Sequence, residues 1–220
     1  MAKRHGWRLL MLFVCIGLPL ALFGELAEDV HASETFGFDQ PILLAAHALA
    51  SAGLDRLFIA VTDAGYLYGV VPFDIVLVLA LLFARRRRET VFAIFAIVGS
   101  ALLNLVAKHA FLRARPSLWQ SIVHANGTSF PSGHAMGSAT LALVLVLLAW
   151  PTRWRWPVAA VAVVFVLLVG FSRVYLGVHY PSDILGGWAA AAVWTFGVYG
   201  LVFNGSLRPW RRPDAPDDGT

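Results

Sequence analysis

Six long apolar runs constrain this chain more than any other feature. They span Trp7–Leu26, Tyr66–Ala84, Val91–Phe111, His134–Trp150, Trp154–Phe171 and Asp183–Phe203. A helix of roughly 20 mostly apolar residues crosses a bilayer core of about 30 Å, so each run is long enough, or nearly so, to span. A water-soluble fold has no use for so much apolar surface. Only 14% of the residues are charged and 59% are hydrophobic, against the roughly 25% charged of a soluble domain. That balance also excludes disorder and coiled coil. The expected fold is therefore all-α: an integral membrane six-transmembrane-helix bundle forming one domain over residues 1–207. Two runs are imperfect: the second carries Pro72 and Asp74, and the sixth is rich in Ala and Gly. Small residues in a span favour close packing against other helices over lipid contact.

Charge orients the bundle. Positive residues concentrate on the cytoplasmic side of membrane proteins. With both termini cytoplasmic, the inner segments hold Lys3, Arg4, Arg8, Arg85 to Arg88, Arg153, Arg155, Arg208, Arg211 and Arg212, twelve of the seventeen Lys and Arg residues. The first outer segment is acidic, with Glu28, Asp29, Glu34, Asp39, Asp55 and Asp63. The basic excess is thus topological, and nucleic acid is not an expected partner. The basic start and apolar Leu9–Phe23 also fit a signal peptide. The length of that run and the poor cleavage site at Glu25-Leu26-Ala27 favour a retained helix. A multi-pass protein of the inner (plasma) membrane is expected.

Between the first two runs, Pro41–Ser51 and Gly53–Asp63 read as short amphipathic helices on the outer interface. They would serve as structural cover or, alternatively, in lipid access. Asp74 is ionisable inside a span, which flags function by default, but a structural bond to a neighbour is the favoured reading. The lone Cys15 excludes an internal disulfide. Residues 208–220, with three prolines and six charged residues, read as a disordered cytoplasmic tail.

Five cations remain on the outer side against the charge rule: Arg56, Lys108, Arg113, Arg115 and Arg173. Arg113, His109, His124 and Arg56 read as solvated or headgroup-facing, with Asp55 or Asp63 as an alternative partner for Arg56. Lys108, Arg115 and Arg173 belong to three segments that this topology puts on one side: Lys108–Pro116, Phe130–His134 and Ser172–Asp183. Three cations repel one another unless an anion sits among them. Arginine's planar fork matches phosphate oxygens, and lysine adds a compact charge. The fourth and sixth helices would both begin here, aiming free backbone N–H groups outward, as phosphate-binding helix starts do. Pro131 and Pro181 suit a first helical turn. Gly133 permits close backbone approach, and Ser132 offers a hydroxyl; Ser172 is either a ligand or a helix-end hydrogen bonder.

Two histidines supply reactivity, since imidazole serves as nucleophile or general acid near neutral pH. Asp183 follows His179 by four residues across a helix start, close enough to accept the Nδ1 proton and aim Nε2 at phosphorus. His134 has no carboxylate nearby in sequence, which suits a proton donor to the leaving oxygen. A metal bound by His134, His179 and Asp183 is disfavoured by the neighbouring cations.

The pattern K-x6-R-P from Lys108, P-S-G-H from Pro131 and S-R-x5-H-x3-D from Ser172 resembles the type 2 phosphatidic acid phosphatase superfamily, the membrane lipid phosphate phosphatases. Each motif alone is weak; all three in order, with their spacing intact, are very specific. The resemblance implies a phosphohistidine on His179 oriented by Asp183, His134 as general acid, and Lys108, Arg115, Ser132, Gly133 and Arg173 as phosphate ligands. It implies no metal and no cofactor. The implied substrate is a lipid phosphate monoester or diphosphate at the outer leaflet, on the periplasmic or extracytoplasmic side. Undecaprenyl diphosphate leads, ahead of phosphatidylglycerophosphate, phosphatidic acid or lipid A and of phosphotransfer in place of hydrolysis. The vanadate-dependent haloperoxidases share the motifs but are soluble. The non-enzyme alternative is a lipid-phosphate binding or transport protein using the cations alone.

Overall fold

The computed structural model describes residues 10, 12–203 and 209–210, and among these the secondary structure is entirely helical. A π-helical turn, Phe13–Gly17, leads into α1 (Leu18–His31). Two short helices follow, α2 (Asp39–His47) and α3 (Ala52–Ala64), then α4 (Val70–Phe83) and α5 (Arg87–Phe111). A loop of about twenty residues joins α5 to α6 (Gly133–Ala149), and α7 (Arg155–Tyr175) and α8 (Pro181–Val202) complete the bundle. The expected basic start, Lys3, Arg4, Trp7 and Arg8, lies outside the described residues. So does most of the expected tail, although Trp210 is described and is held, its indole N–H donating to the Leu148 carbonyl at 2.7 Å.

Helices α5, α7 and α8 are long and apolar enough to cross a membrane. Helices α4 and α6 are apolar but shorter, 14 and 17 residues, or about 21 and 26 Å at 1.5 Å per residue. Large apolar side chains face outward, with Phe83 83%, Leu201 82% and Val161 71% exposed, as lipid-facing positions require. Pro72 turns out to be the third residue of α4; in the first turn its missing N–H breaks no intrahelical bond.

Helix α8 is the centre of the bundle, packed against α1, α5 and α6. Its small residues Gly186, Gly187, Ala189 and Ala191 are buried, and Gly187 lies so close to α6 that a Cβ there would sit 2.9 Å from the Ser132 carbonyl oxygen. Between α6 and α5, the Ser100 and Thr140 hydroxyls share a 2.7 Å hydrogen bond.

The short helices are anchored to the start of α8 and the end of α7. Asp39, first residue of α2, accepts the Ser182 N–H at 2.9 Å. The Tyr175 hydroxyl donates to Asp55 on α3 at 2.7 Å. Arg56 pairs with neither nearby aspartate; its Nε donates to the Ala52 carbonyl at 3.1 Å, one turn back.

Candidate active site

Four helix ends meet at one side of the bundle: the last turns of α5 and α7 and the first turns of α6 and α8. They bring Lys108, Arg173, Gly133 and His134 to the wall of a cavity of about 590 Å³, with Arg115 from the α5–α6 loop. Thr62, Asp63, Tyr66 and Asn104 complete much of the wall. Five of the eight residues singled out in the sequence thus line one space. Ser132, His179 and Asp183 lie behind it, with His179 2% exposed and the other two fully buried.

Lys108 and Arg115 are positioned by backbone carbonyls. Lys108 Nζ donates to the Thr128 carbonyl at 2.6 Å. Arg115 donates to the carbonyls of Gly127 at 3.0 Å, Asn126 at 2.9 Å and Val178 at 2.7 Å. The α5–α6 loop, which supplies all of these acceptors except Val178, is fastened in turn: the Ser129 N–H donates to the Arg113 carbonyl, and the Ser121 hydroxyl donates to the Leu176 carbonyl. Arg173 donates through Nη1 to the Thr62 hydroxyl, while its Nε is buried with no partner among the described residues. An unpaired buried guanidinium donor is costly unless an acceptor is supplied, and a phosphate oxygen is such an acceptor.

Ser132 caps α6, its hydroxyl accepting the Ala135 N–H at 3.5 Å; the side chain is thus committed to the helix start. Pro131 lies one residue ahead of that cap rather than in the first turn, and its peptide with Phe130 is cis. Pro181, by contrast, is the first residue of α8. His134 forms no hydrogen bond among the described residues; its imidazole lies against the Tyr66 ring, centroids 4.9 Å apart. Ser172 donates to the Val169 carbonyl at 2.7 Å and is fully buried, so it is a helix-end hydrogen bonder.

His179 sits on the short loop between α7 and α8. Gly177 gives that loop its turn: its φ is +69°, and a Cβ there would lie 2.6 Å from the Trp119 ring, so glycine is required twice over. The His179 Nδ1 lies 3.3 Å from Asp183 Oδ2, and its Nε2 lies 3.1 Å from Arg115 Nη1. With Nδ1 protonated, Nε2 carries the lone pair and accepts from Arg115. Burial pushes the imidazole pKa down to about 4; Asp183 opposes the shift, and Arg173 and Arg115 add to it. His179 is accordingly neutral near pH 7, the state a nucleophile needs. Burial also lowers the Arg115 pKa, again opposed by Asp183.

Arg113 is not solvated or headgroup-facing. Its guanidinium donates to Asp183 Oδ1 at 2.6 Å, to the Ser182 hydroxyl at 2.8 Å and to Asp39 Oδ2 at 2.9 Å. It lies over the Tyr180 ring at 4.3 Å and near the Phe36 ring at 5.5 Å. Two buried carboxylates and two rings offer a charge more than headgroup or water would, which is why it turns inward. The only sequence trace of this role is that Arg113 stands among the cations that violate the charge rule. Asp39 left no trace beyond its place in an acidic segment.

The chain belongs to the PAP2 superfamily, whose profile matches residues 89–206. Among its relatives, the phosphatidylglycerophosphatase B of Bacillus subtilis is 29% identical, over 85% of this chain and 93% of that protein. The undecaprenyl-diphosphatase of Sulfolobus acidocaldarius is 28% identical over 86% of each chain. In three dimensions the chain resembles the crystal structure of a transmembrane PAP2-type phosphatidylglycerolphosphate phosphatase from Bacillus subtilis, with a TM-score of 0.73, 29% identity, and coverage of 83% of this chain and 94% of that one. The Aquifex aeolicus LpxE structure shares the fold at a TM-score of 0.62 and 23% identity, over 74% and 96% of the two chains.

Proposed function

We propose that this chain is a six-span, metal-independent membrane lipid phosphatase that hydrolyses undecaprenyl diphosphate to undecaprenyl phosphate at the outer leaflet. In this reading α1, α4 and α6 span together with α5, α7 and α8. Both termini are cytoplasmic and the cavity opens to the extracytoplasmic side, as the charge asymmetry favours. The observation that carries the reading is the alignment of Asp183, His179 and Arg115 beside a cavity lined by Lys108, Arg173 and His134. A binding or transport protein needs the cations but not the oriented histidine.

The terminal phosphate enters among Lys108, Arg115 and Arg173, with the first-turn N–H groups of α6 facing its oxygens. Its oxygens take over the Arg115 donor that now rests on His179, which frees the Nε2 lone pair. His179 Nε2 attacks phosphorus in line, forming the N–P bond as the P–O bond to the leaving group breaks. His134 donates a proton to the departing oxygen, and undecaprenyl phosphate leaves. His134, now a base, takes a proton from water; the water oxygen attacks phosphorus and the N–P bond breaks, releasing inorganic phosphate. Asp183 stabilises the positive charge that develops on His179, and the cations stabilise charge on the equatorial oxygens, usually the largest catalytic contribution.

The relative and the solved structure named for phosphatidylglycerophosphate favour a second substrate for the same chemistry. Phosphate release by the detergent-purified protein, with undecaprenyl diphosphate, phosphatidylglycerophosphate and phosphatidic acid compared in the presence of chelator, tests both. Faster release from the diphosphate supports the leading assignment; preference for phosphatidylglycerophosphate transfers it to the second. No release from any of them, or from lipid A, would remove the hydrolase reading.

A further inference from the structure

We propose that Asp39, outside all three sequence motifs, is a positioning residue that acts on the His179–Asp183 pair through Arg113. This inference rests on the phosphatase reading above. Asp39 opens α2, more than 140 residues from Asp183 in sequence, yet it is 2% exposed. Its Oδ1 accepts the Ser182 N–H at 2.9 Å, and its Oδ2 accepts both the Ser182 hydroxyl and Arg113 Nη2. The other nitrogen of the same fork, Nη1, donates to Asp183 Oδ1 at 2.6 Å. One guanidinium therefore bridges two buried carboxylates, and the rings of Tyr180 and Phe36 fix its plane.

Charge explains why two carboxylates are there. Asp183 uses one oxygen, Oδ2, for His179 Nδ1 and the Tyr180 N–H, and the other, Oδ1, for Arg113 and the Ser129 hydroxyl. Arg113 alone would neutralise Asp183, leaving a weak acceptor for an imidazole that becomes positive on phosphorylation. With Asp39 sharing the guanidinium, the cluster keeps a net charge of one minus beside His179. The Asp39 bonds to Ser182 hold the first turn of α8, which carries Asp183, in register with the fork. Charge-assisted bonds of this kind are shorter and stronger than neutral ones, and in the interior they are weakly screened.

A purely structural role is the competing explanation, because Asp39 also caps α8 from outside the helix. Asparagine caps a helix about as well as aspartate, so Asp39→Asn keeps an oxygen for the Ser182 N–H while removing the charge. The full-length protein in detergent is assayed for phosphate release with a lipid diphosphate, for phosphoenzyme formation in a single turnover, and for inhibition by orthovanadate. Asp39→Asn is expected to lower kcat and the rate of phosphoenzyme formation about 10- to 100-fold, the scale of a displaced orienting partner. KM should stay near the parent value, because the phosphate-facing cations are untouched, whereas orthovanadate, which meets the nucleophile as the transition state does, should inhibit more weakly in step with kcat. Arg113→Lys should show the same signature, since one ammonium cannot bridge both carboxylates as the fork does. In an Arg113→Gln background, Asp39→Asn should have little further effect, because coupled residues are non-additive.

Unchanged kcat in Asp39→Asn overturns the proposal, as does a loss that adds fully to that of Arg113→Gln. A rise in KM with weaker vanadate inhibition and unaltered kcat overturns it too, placing the residue with the phosphate ligands instead. Failure of both Asp39→Asn and Arg113→Lys to fold assigns the cluster to the fold alone and overturns it. Silence of the unsubstituted protein on every lipid phosphate refutes the phosphatase reading itself, a different result from an active parent with an indifferent Asp39→Asn.

Discussion

Gly187→Ala tests whether the two halves of the site depend on the close crossing of α6 and α8. Helix α6 carries Gly133 and His134 at its start, and α8 carries Asp183 at its own. Their first turns are joined by the Ser132 N–H bond to the Asp183 carbonyl at 3.0 Å. An added Cβ at residue 187 would lie 2.9 Å from the Ser132 carbonyl oxygen, 3.1 Å from Ala135 Cβ and 3.2 Å from the Met136 nitrogen. Two of these are backbone atoms, and the Ser132 oxygen accepts the Met136 N–H at 2.9 Å, so no side-chain rotation relieves the clash. The helices must part by about half an ångström to restore ordinary contact. Overpacking of this kind costs about 1–3 kcal/mol. A displacement of about 1 Å at a reacting pair costs about 100-fold in rate, so half that distance gives about tenfold. The assay is phosphate release under saturating lipid diphosphate, with thermal unfolding of the same sample. Gly200→Ala on the same helix, where a Cβ meets nothing within 4 Å, is the control and should match the parent in rate. If Gly187→Ala also turns over and melts like the parent, the helix crossing does not set the geometry between His134 and Asp183.

Four further outcomes follow from the same arrangement. His179→Ala should abolish phosphate release, and Asp183→Asn should retain measurable activity because an orienting group is partly dispensable; equal total loss in both would contradict the division of roles. The acid limb of kcat/KM should lie near pH 4 rather than 6.5, since the buried His179 holds its proton only below about 4. Stability should follow the same window: between pH 6.5 and 4 the unfolded imidazole binds a proton that the folded one does not. His179 alone should therefore lower the unfolding free energy by on the order of 3 kcal/mol as pH drops through that range; a flat melting temperature from pH 6.5 to 4 would count against a buried neutral His179. Chelator in the assay should leave the rate unchanged, and loss of activity restored by an added divalent cation would bring metal chemistry back.

The helical class and the grouping of the motif residues were legible because both rest on local signals. Apolar run length marks helices, so the third run and α5 both end at Phe111, and Lys108 falls in the last turn of that helix. The ends that went astray did so for tertiary reasons. The fifth run stops at Phe171, before the charge of Arg173, yet α7 continues to Tyr175 because Arg173 finds the Thr62 hydroxyl on α3 and stays buried. The second run starts at Tyr66, but α4 begins at Val70, with Tyr66 left to pack against His134. Arg113 and Asp39 were illegible for a plainer reason. A cation next to a motif and an acid in a surface-looking helix acquire meaning only when folding puts α2 over the start of α8.

Under the proposed mechanism, the same electrostatics let a cationic cradle and a basic nucleophile coexist. Burial stabilises the neutral imidazole of His179, and Arg173 and Arg115 act in the same direction. Burial and these two cations together keep His179 free of a proton without help from any general base. In that mechanism the cost falls on the next step, because phosphorylation of Nε2 would put positive charge on a ring already facing Arg115 and Arg173. Two features offset it: the incoming phosphate brings its own negative charge among the cations, and Asp183 faces Nδ1. Arg113 and Asp39 then decide how much negative charge Asp183 has left to offer. On this view the motif cations set when His179 is ready to attack, and the unheralded pair behind Asp183 sets how stable the phosphorylated ring becomes. Substitutions in the two groups should consequently separate in kinetics, the first moving phosphate binding and the second moving phosphoenzyme formation.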